Sequence, residues 1–161
     1  MKHIVIDPRR RVRRAFFLYD LILPNVGALV LILVIRILDL GLIGDVAIGA
    51  IAALLLWSGN IAAPMARMHD LGVSGLWHLA VVVAVFYLST VGLDAGPGEA
   101  VQRLASWTSV RLNGGETLEA SGSSRFLGGV IALAEVGILC FVPGQRGTNR
   151  YGPDPREKPW R

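Results

Sequence analysis

Four stretches of the chain are almost wholly apolar, and short polar or charged clusters separate them. They cover residues 16–38, 46–63, 76–93 and 126–142. Each approaches the ~20 residues that a helix needs to cross ~30 Å of hydrocarbon. Charges inside them are few: Asp20 and Arg36 in the first, none in the second, only a protonatable His78 in the third, and Glu135 in the fourth. The pattern predicts an all-α, polytopic membrane protein, a single domain built as a four-transmembrane-helix bundle. A basic segment, 1–15, precedes the bundle and a tail, 143–161, follows it. The loop 94–125 between the third and fourth spans is long and rich in Gly, Ser and Glu.

Arg13-Arg14 ahead of the first span resembles a twin-arginine export signal. The apolar run is longer than the 7–15 residues typical of such a signal, and no small-x-small cleavage site closes it. It is therefore expected to stay as a span. Within the long loop, Val101, Leu104, Ala105, Thr108 and Leu112 follow helical spacing, with Gln102, Arg103, Ser106 and Arg111 elsewhere on the wheel. The alternatives are an amphipathic helix on the membrane surface and a linker leading into Gly114-Gly115 and 121–124. Gly49 and Ala53, Gly59 and Ala63, and Gly128 and Ala132 sit four apart, a spacing that lets helices approach closely.

Composition agrees with the pattern. Hydrophobic residues make up 53% of the chain and mean hydropathy is +0.53, while 17% are charged, against a usual share of about 25%. The net charge of +4 resides mainly at the two ends. Placing both termini in the cytoplasm puts 12 of the 16 Lys and Arg residues inside, as the positive-inside rule requires. Arginines flanking apolar spans favour anionic lipid headgroups as a partner over nucleic acid. A protein partner or a homo-oligomer is compatible with the same surface. Cys140 stands alone, so neither a disulfide nor a Cys-rich metal site is expected, and no cofactor is implied.

Asp20, Asn60, His78 and Glu135 are polar groups inside spans, where an unsatisfied polar group costs several kcal/mol. All four fall in the cytoplasmic half of the expected bundle, which suggests a polar pocket open to that side. The competing reading has Asp20 and His78 reaching toward the headgroups and Glu135 protonated against a neighbouring helix. The loop Arg67-Met68-His69-Asp70-Leu71-Gly72-Val73-Ser74-Gly75-Leu76-Trp77 invites an acid–base reading of His69 beside Asp70. Ser74 is the one nearby hydroxyl and no second metal ligand is placed, so a structural role is preferred. In it Asp70 pairs with Arg67, the glycines make the turn, and Trp77 anchors the third span.

At these residues the sequence resembles the bacterial inner-membrane family called domain of unknown function 805. The N-terminal pattern of two arginines and an aromatic pair reads Arg10, Arg13, Phe16-Phe17. The loop pattern reads Ala66-Arg67-Met68-His69-Asp70-Leu71-Gly72-Val73-Ser74-Gly75-Leu76-Trp77, with Ala66 and Leu76 departing from the family's arginine and tryptophan. The C-terminal pattern reads Gly144-Gln145-Arg146-Gly147-Thr148-Asn149-Arg150-Tyr151-Gly152-Pro153-Asp154-Pro155. The resemblance implies a helical bundle in the bacterial inner membrane and brings no catalytic residues. Combined with the charge-derived topology, it places Arg10, Arg13, Arg67, His69, Asp70, Asn149, Arg150, Tyr151 and Asp154 on one cytoplasmic face. Arg67 or Arg150 is expected to pair with Asp70 or Asp154. The preferred function is a non-enzymatic scaffold, regulator or assembly partner. A small transporter or channel component around the polar pocket is the alternative, and a lipid-acting enzyme using His69 and Asp70 comes third.

Overall fold

A computed structural model describes residues 8, 9, 11–38, 41–113 and 120–156. Among them every regular element is helical, and the only β-type pairing is an isolated bridge between Asn149 and Gly152. Helix α1 (Arg14–Ile37) begins where the extended Arg13, at φ −66° and ψ 147°, turns into the apolar run. Helix α2 (Gly41–Trp57), a π-helical turn (Ser58–Ala62) and helix α3 (Ala63–Asp70) follow as one continuous rod. Helices α4 (Leu76–Thr90), α5 (Pro97–Asn113) and α6 (Gly122–Phe141) complete the chain.

The π turn has a cause in the sequence. Pro64 has no N–H, so it cannot satisfy the carbonyl of Asn60 four residues earlier, and its ring crowds that carbonyl. Widening the helix over Ser58–Ala62 relieves the conflict.

Among the described residues three helices are long and apolar enough to cross a membrane: Phe16–Ile35, Gly41–Asp70 and Gly122–Phe141. That is one fewer than the four expected. The third expected span ends early. Gly92 takes φ +85°, and its N–H and that of Val91 both return to the Tyr87 carbonyl, at 3.0 and 2.8 Å, closing α4. The 15 residues of α4 rise about 22 Å, short of the ~30 Å hydrocarbon layer.

The chain divides into two compact units, Met1–His78 with Ile138–Arg161, and Leu79–Gly137. The first packs Val12, Phe17, Ala63, Ala66, Met68 and Leu139 into a buried cluster, flanked by Phe16, Leu21, Leu71 and Cys140. The alanines keep side chains short where the N-terminal segment and the helix ends meet.

The second unit is organised by Arg103 on α5. Residues 97–113 are helical, the first of the two alternatives for this loop, yet the faces differ from the expected amphipathic wheel. Arg103 is the buried residue, while Val101 and Leu104 are exposed. The side chains of Thr108, Arg111 and Leu112 lie outside the described residues. The Arg103 guanidinium donates to the Val91 carbonyl at the end of α4, to Glu99 Oε1 (3.0 Å from Nε) and to Asp94 Oδ2 (2.9 Å). Ser124 Oγ accepts from the Leu93 N–H at 3.0 Å, tying the start of α6 to the same corner.

Candidate functional site

The first unit brings three separate segments together at one place: residues 11–13 ahead of α1, the end of α3, and the tail 144–156. Their backbones meet directly. Val12 N–H donates to the Ala66 carbonyl (3.3 Å) and Gln145 N–H to the Asp70 carbonyl (2.8 Å).

Asp70 is the hub. It is buried, and its two carboxylate oxygens are held by different arginines: Oδ1 by Arg11 (3.1 Å from Nη2, 3.3 Å from Nε) and Oδ2 by Arg67. Arg11 is itself buried and spends its remaining donors on the tail. Nη1 reaches the Gly147 and Gly152 carbonyls at 2.8 and 3.0 Å, and Nη2 reaches the Gln145 carbonyl at 2.7 Å. A buried carboxylate between two guanidinium groups, whose other protons go largely to backbone carbonyls, meets the condition under which buried charges are tolerated.

Arg67 is fully buried. Beyond Asp70 it donates to the Leu139 carbonyl (2.9 Å from Nε), to that of Val142, and weakly to that of Val12 at 3.5 Å. The final carbonyls of a helix lack intrahelical donors, and Leu139 also faces Pro143, which has no N–H to offer four residues on. Arg67 therefore caps α6 with a positive charge at its negative dipole end.

The tail is folded around Asp154. Its Oδ2 accepts from the Gly147 N–H at 3.0 Å, and its Oδ1 from the Arg156 N–H at 2.9 Å and from Arg156 Nε at 2.8 Å. The hydrogen bond from Arg156 holds this carboxyl well below the usual carboxylate range. Asn149 and Gly152 exchange both backbone bonds at 3.0 Å, Asn149 Oδ1 accepts from the Tyr151 N–H (2.9 Å), and Asn149 Nδ2 donates to the His69 carbonyl (3.0 Å). This tight turn presents Tyr151, whose ring stacks on His69 with centroids 4.0 Å apart. The Arg150 guanidinium lies over the same ring at 4.7 Å. Gly144 runs so close to the hub that a Cβ there would overlap Asp70 Oδ2.

The expected motif residues thus fall as follows. Arg67 pairs with Asp70, and Asp154 pairs with Arg156 rather than with Arg67 or Arg150. Arg13 donates to the Pro155 carbonyl. Ser74 Oγ accepts from the Leu76 N–H at 3.3 Å, starting α4, so the one nearby hydroxyl serves the backbone. Gly72 makes its turn at φ +78°, Gly75 is buried against Met65 and His69, and Trp77 is exposed. Arg10 lies outside the described residues. Sequence reasoning missed Arg11, Gln145 and Arg156.

Of the polar residues in the spans, His78 and Asn60 touch directly: His78 Nε2 lies 2.7 Å from the Asn60 carbonyl. A carbonyl only accepts, so Nε2 carries the proton, and it satisfies the group that Pro64 left without a donor. Asn25, which sequence reasoning also missed, accepts from Asn60 Nδ2 at 2.8 Å and donates to the Leu21 carbonyl at 2.7 Å. Gly59 lets Asn25 in, since a Cβ there would lie 2.6 Å from Asn25 Nδ2. Asp20 is buried on α1. Glu135 is half-buried and belongs to the second unit. No group of three or more His, Cys, Asp or Glu capable of holding a metal occurs among the described residues.

A family model described as a protein of unknown function (DUF805) matches residues 5–153 of the chain. The match takes in residues 11–13, the end of α3 and the tail as far as Pro153, and the chain belongs to that family. No curated protein and no solved structure matches it.

Proposed function

From a DUF805 member with this cap, we propose a non-enzymatic protein of the bacterial inner membrane, with four spans and both termini in the cytoplasm, whose motif-bearing cap is a rigid assembly platform. The observation that carries the reading is the Arg11 guanidinium, which bonds the segment before α1 to the carbonyls of residues 145, 147 and 152. Two segments in hydrogen-bond contact lie on the same side of any membrane, so the chain between them crosses an even number of times. Three long helices alone cannot meet that parity. A crossing by α4 does, at the cost of local bilayer thinning that a short span requires. The positive-inside count then favours the cytoplasm for the cap.

The commitment of the motif groups supports a non-enzymatic role. Asp70, the carboxylate that an acid–base reading needs, has both oxygens engaged by guanidinium groups, and Ser74 serves a helix start. Cysteine labelling tests the topology. Gly98→Cys in the first turn of α5 should react with a membrane-impermeant reagent only from the periplasmic face, and Arg146→Cys only from the cytoplasmic face. Labelling of Arg146→Cys from the periplasm would overturn the reading. A proteomic comparison of native membranes tests the platform: a partner should copurify with the wild type and be lost when Tyr151 is replaced by Ala.

The Asn25–Asn60–His78 network favours a second reading, a small transporter or channel component, because polar groups inside spans mark ion and substrate paths. Uptake by reconstituted vesicles that His78→Ala abolishes would establish it. Loss of lipid turnover on His69→Ala would instead support a lipid-acting enzyme.

A further inference from the structure

The cap sorts its charges by sign. Its two described carboxylates, Asp70 and Asp154, are both turned inward, buried and bonded to arginines. Its outward charges are arginines: Arg14, Arg146, Arg150 and Arg156 are all exposed. Arg156 is paired with Asp154, whereas Arg14, Arg146 and Arg150 face no described carboxylate, and they make the outer surface cationic. Tyr19, one turn and a half into α1, is 70% exposed, and Trp77, at the second position of α4, is 64% exposed. Amphipathic aromatics at the ends of apolar helices sit at the headgroup level, which sets the arginines beside that layer.

We propose that this surface is a docking site for anionic phospholipid headgroups, with Arg14, Arg146 and Arg150 drawing the phosphates and Trp77 and Tyr19 seated between them. The proposal rests on the cap facing the cytoplasmic leaflet, the anionic one. Among the described residues Arg146 has no bond to the cap, and Arg150 has a 3.5 Å contact to the Gly72 carbonyl and its place over Tyr151. Removing their charge therefore leaves the Asp70 hub untouched.

The test is native mass spectrometry of the full-length protein in detergent, with phosphatidylglycerol and phosphatidylcholine competing. The wild type should retain phosphatidylglycerol preferentially. At ~1 kcal/mol per arginine near an anionic surface, Arg146→Gln with Arg150→Gln should weaken that preference roughly thirtyfold. The preference should fall with salt and withstand inorganic phosphate. Equal retention of the two lipids, an undiminished preference in the double variant, or displacement of an acidic protein or RNA in place of lipid would each overturn the proposal. Topology is read separately by the cysteine labelling, so lipid indifference with a correctly oriented cap sinks this inference alone.

Discussion

Two arginine clamps hold this molecule together, one in each unit, and they work on different physics. In the cap, two arginines share one carboxylate, and the three side chains are 2%, 0% and 4% exposed for Arg11, Arg67 and Asp70. In the second unit one arginine faces two carboxylates, whose side chains are 41% and 48% exposed for Asp94 and Glu99. Buried charges interact strongly and are ruinous when unpaired, whereas exposed pairs are screened and worth little. Both clamps also take backbone carbonyls at helix ends, Leu139 and Val142 in the cap and Val91 in the other. The cap is thus predicted to be the unit on which folding depends, and the Arg103 corner a tuned, dispensable brace.

The sharpest way to break the comparison is to remove the hub. Asp70→Asn should cost about 3–5 kcal/mol, because it leaves Arg11 and Arg67 buried with no counter-charge. Reversible unfolding in mixed micelles measures it, and a loss no greater than that of Glu99→Gln would end the distinction. Gly144→Ala should cost roughly 1–3 kcal/mol by pushing a methyl into Asp70 Oδ2. Gly122→Ala, where a Cβ meets nothing within 4 Å, is the neutral control.

A third substitution tests the proline rule that the cap shares with the spans. His78→Ala orphans the Asn60 carbonyl and should cost about 1–3 kcal/mol. Pro64→Ala restores an N–H at the position four residues on, so His78→Ala should cost less in that background. A double-mutant cycle reads the coupling, and simple additivity would show that the π turn has another cause.

The same rule explains what could be read in advance and what could not. The Arg67–Asp70 pair was legible because three residues along a helix is contact distance. Apolar runs gave the helices, but not the early end of α4, which turns on the left-handed Gly92. In a segment with five arginines between positions 9 and 14, nothing local distinguishes Arg11 from Arg10 and Arg13, and only the tertiary closure selects which one turns inward. Arg103 looked like a polar-face residue because its partners, the Val91 carbonyl and Asp94, lie outside its helix. Two missed contacts did have a signal. Pro64 and Pro143 each announce a carbonyl four residues earlier that needs an outside donor, and the structure supplies His78 and Arg67.

The smallest expected effect separates the clamps by acid. The Asp94 carboxyl is held well below the usual carboxylate range, first by its hydrogen bond from Arg103. A carboxyl whose folded pKa is depressed adds stability above its unfolded pKa of ~3.9 and loses it as the pH falls toward the folded value. Asp154 is depressed in the same direction by Arg156. The unfolding temperature should therefore stay level with respect to these groups from pH 8 to about 5 and decline below about 4. Asp94→Asn should remove a small part of that decline and lower the plateau by the same small amount, since Asp94 is half-open to solvent and screened. Asp154→Asn should remove its part and lower the plateau as well, because Asp154 also holds the Gly147 N–H within the cap. If both variants lower the plateau equally, the Arg103 corner bears as much of the fold as the cap does.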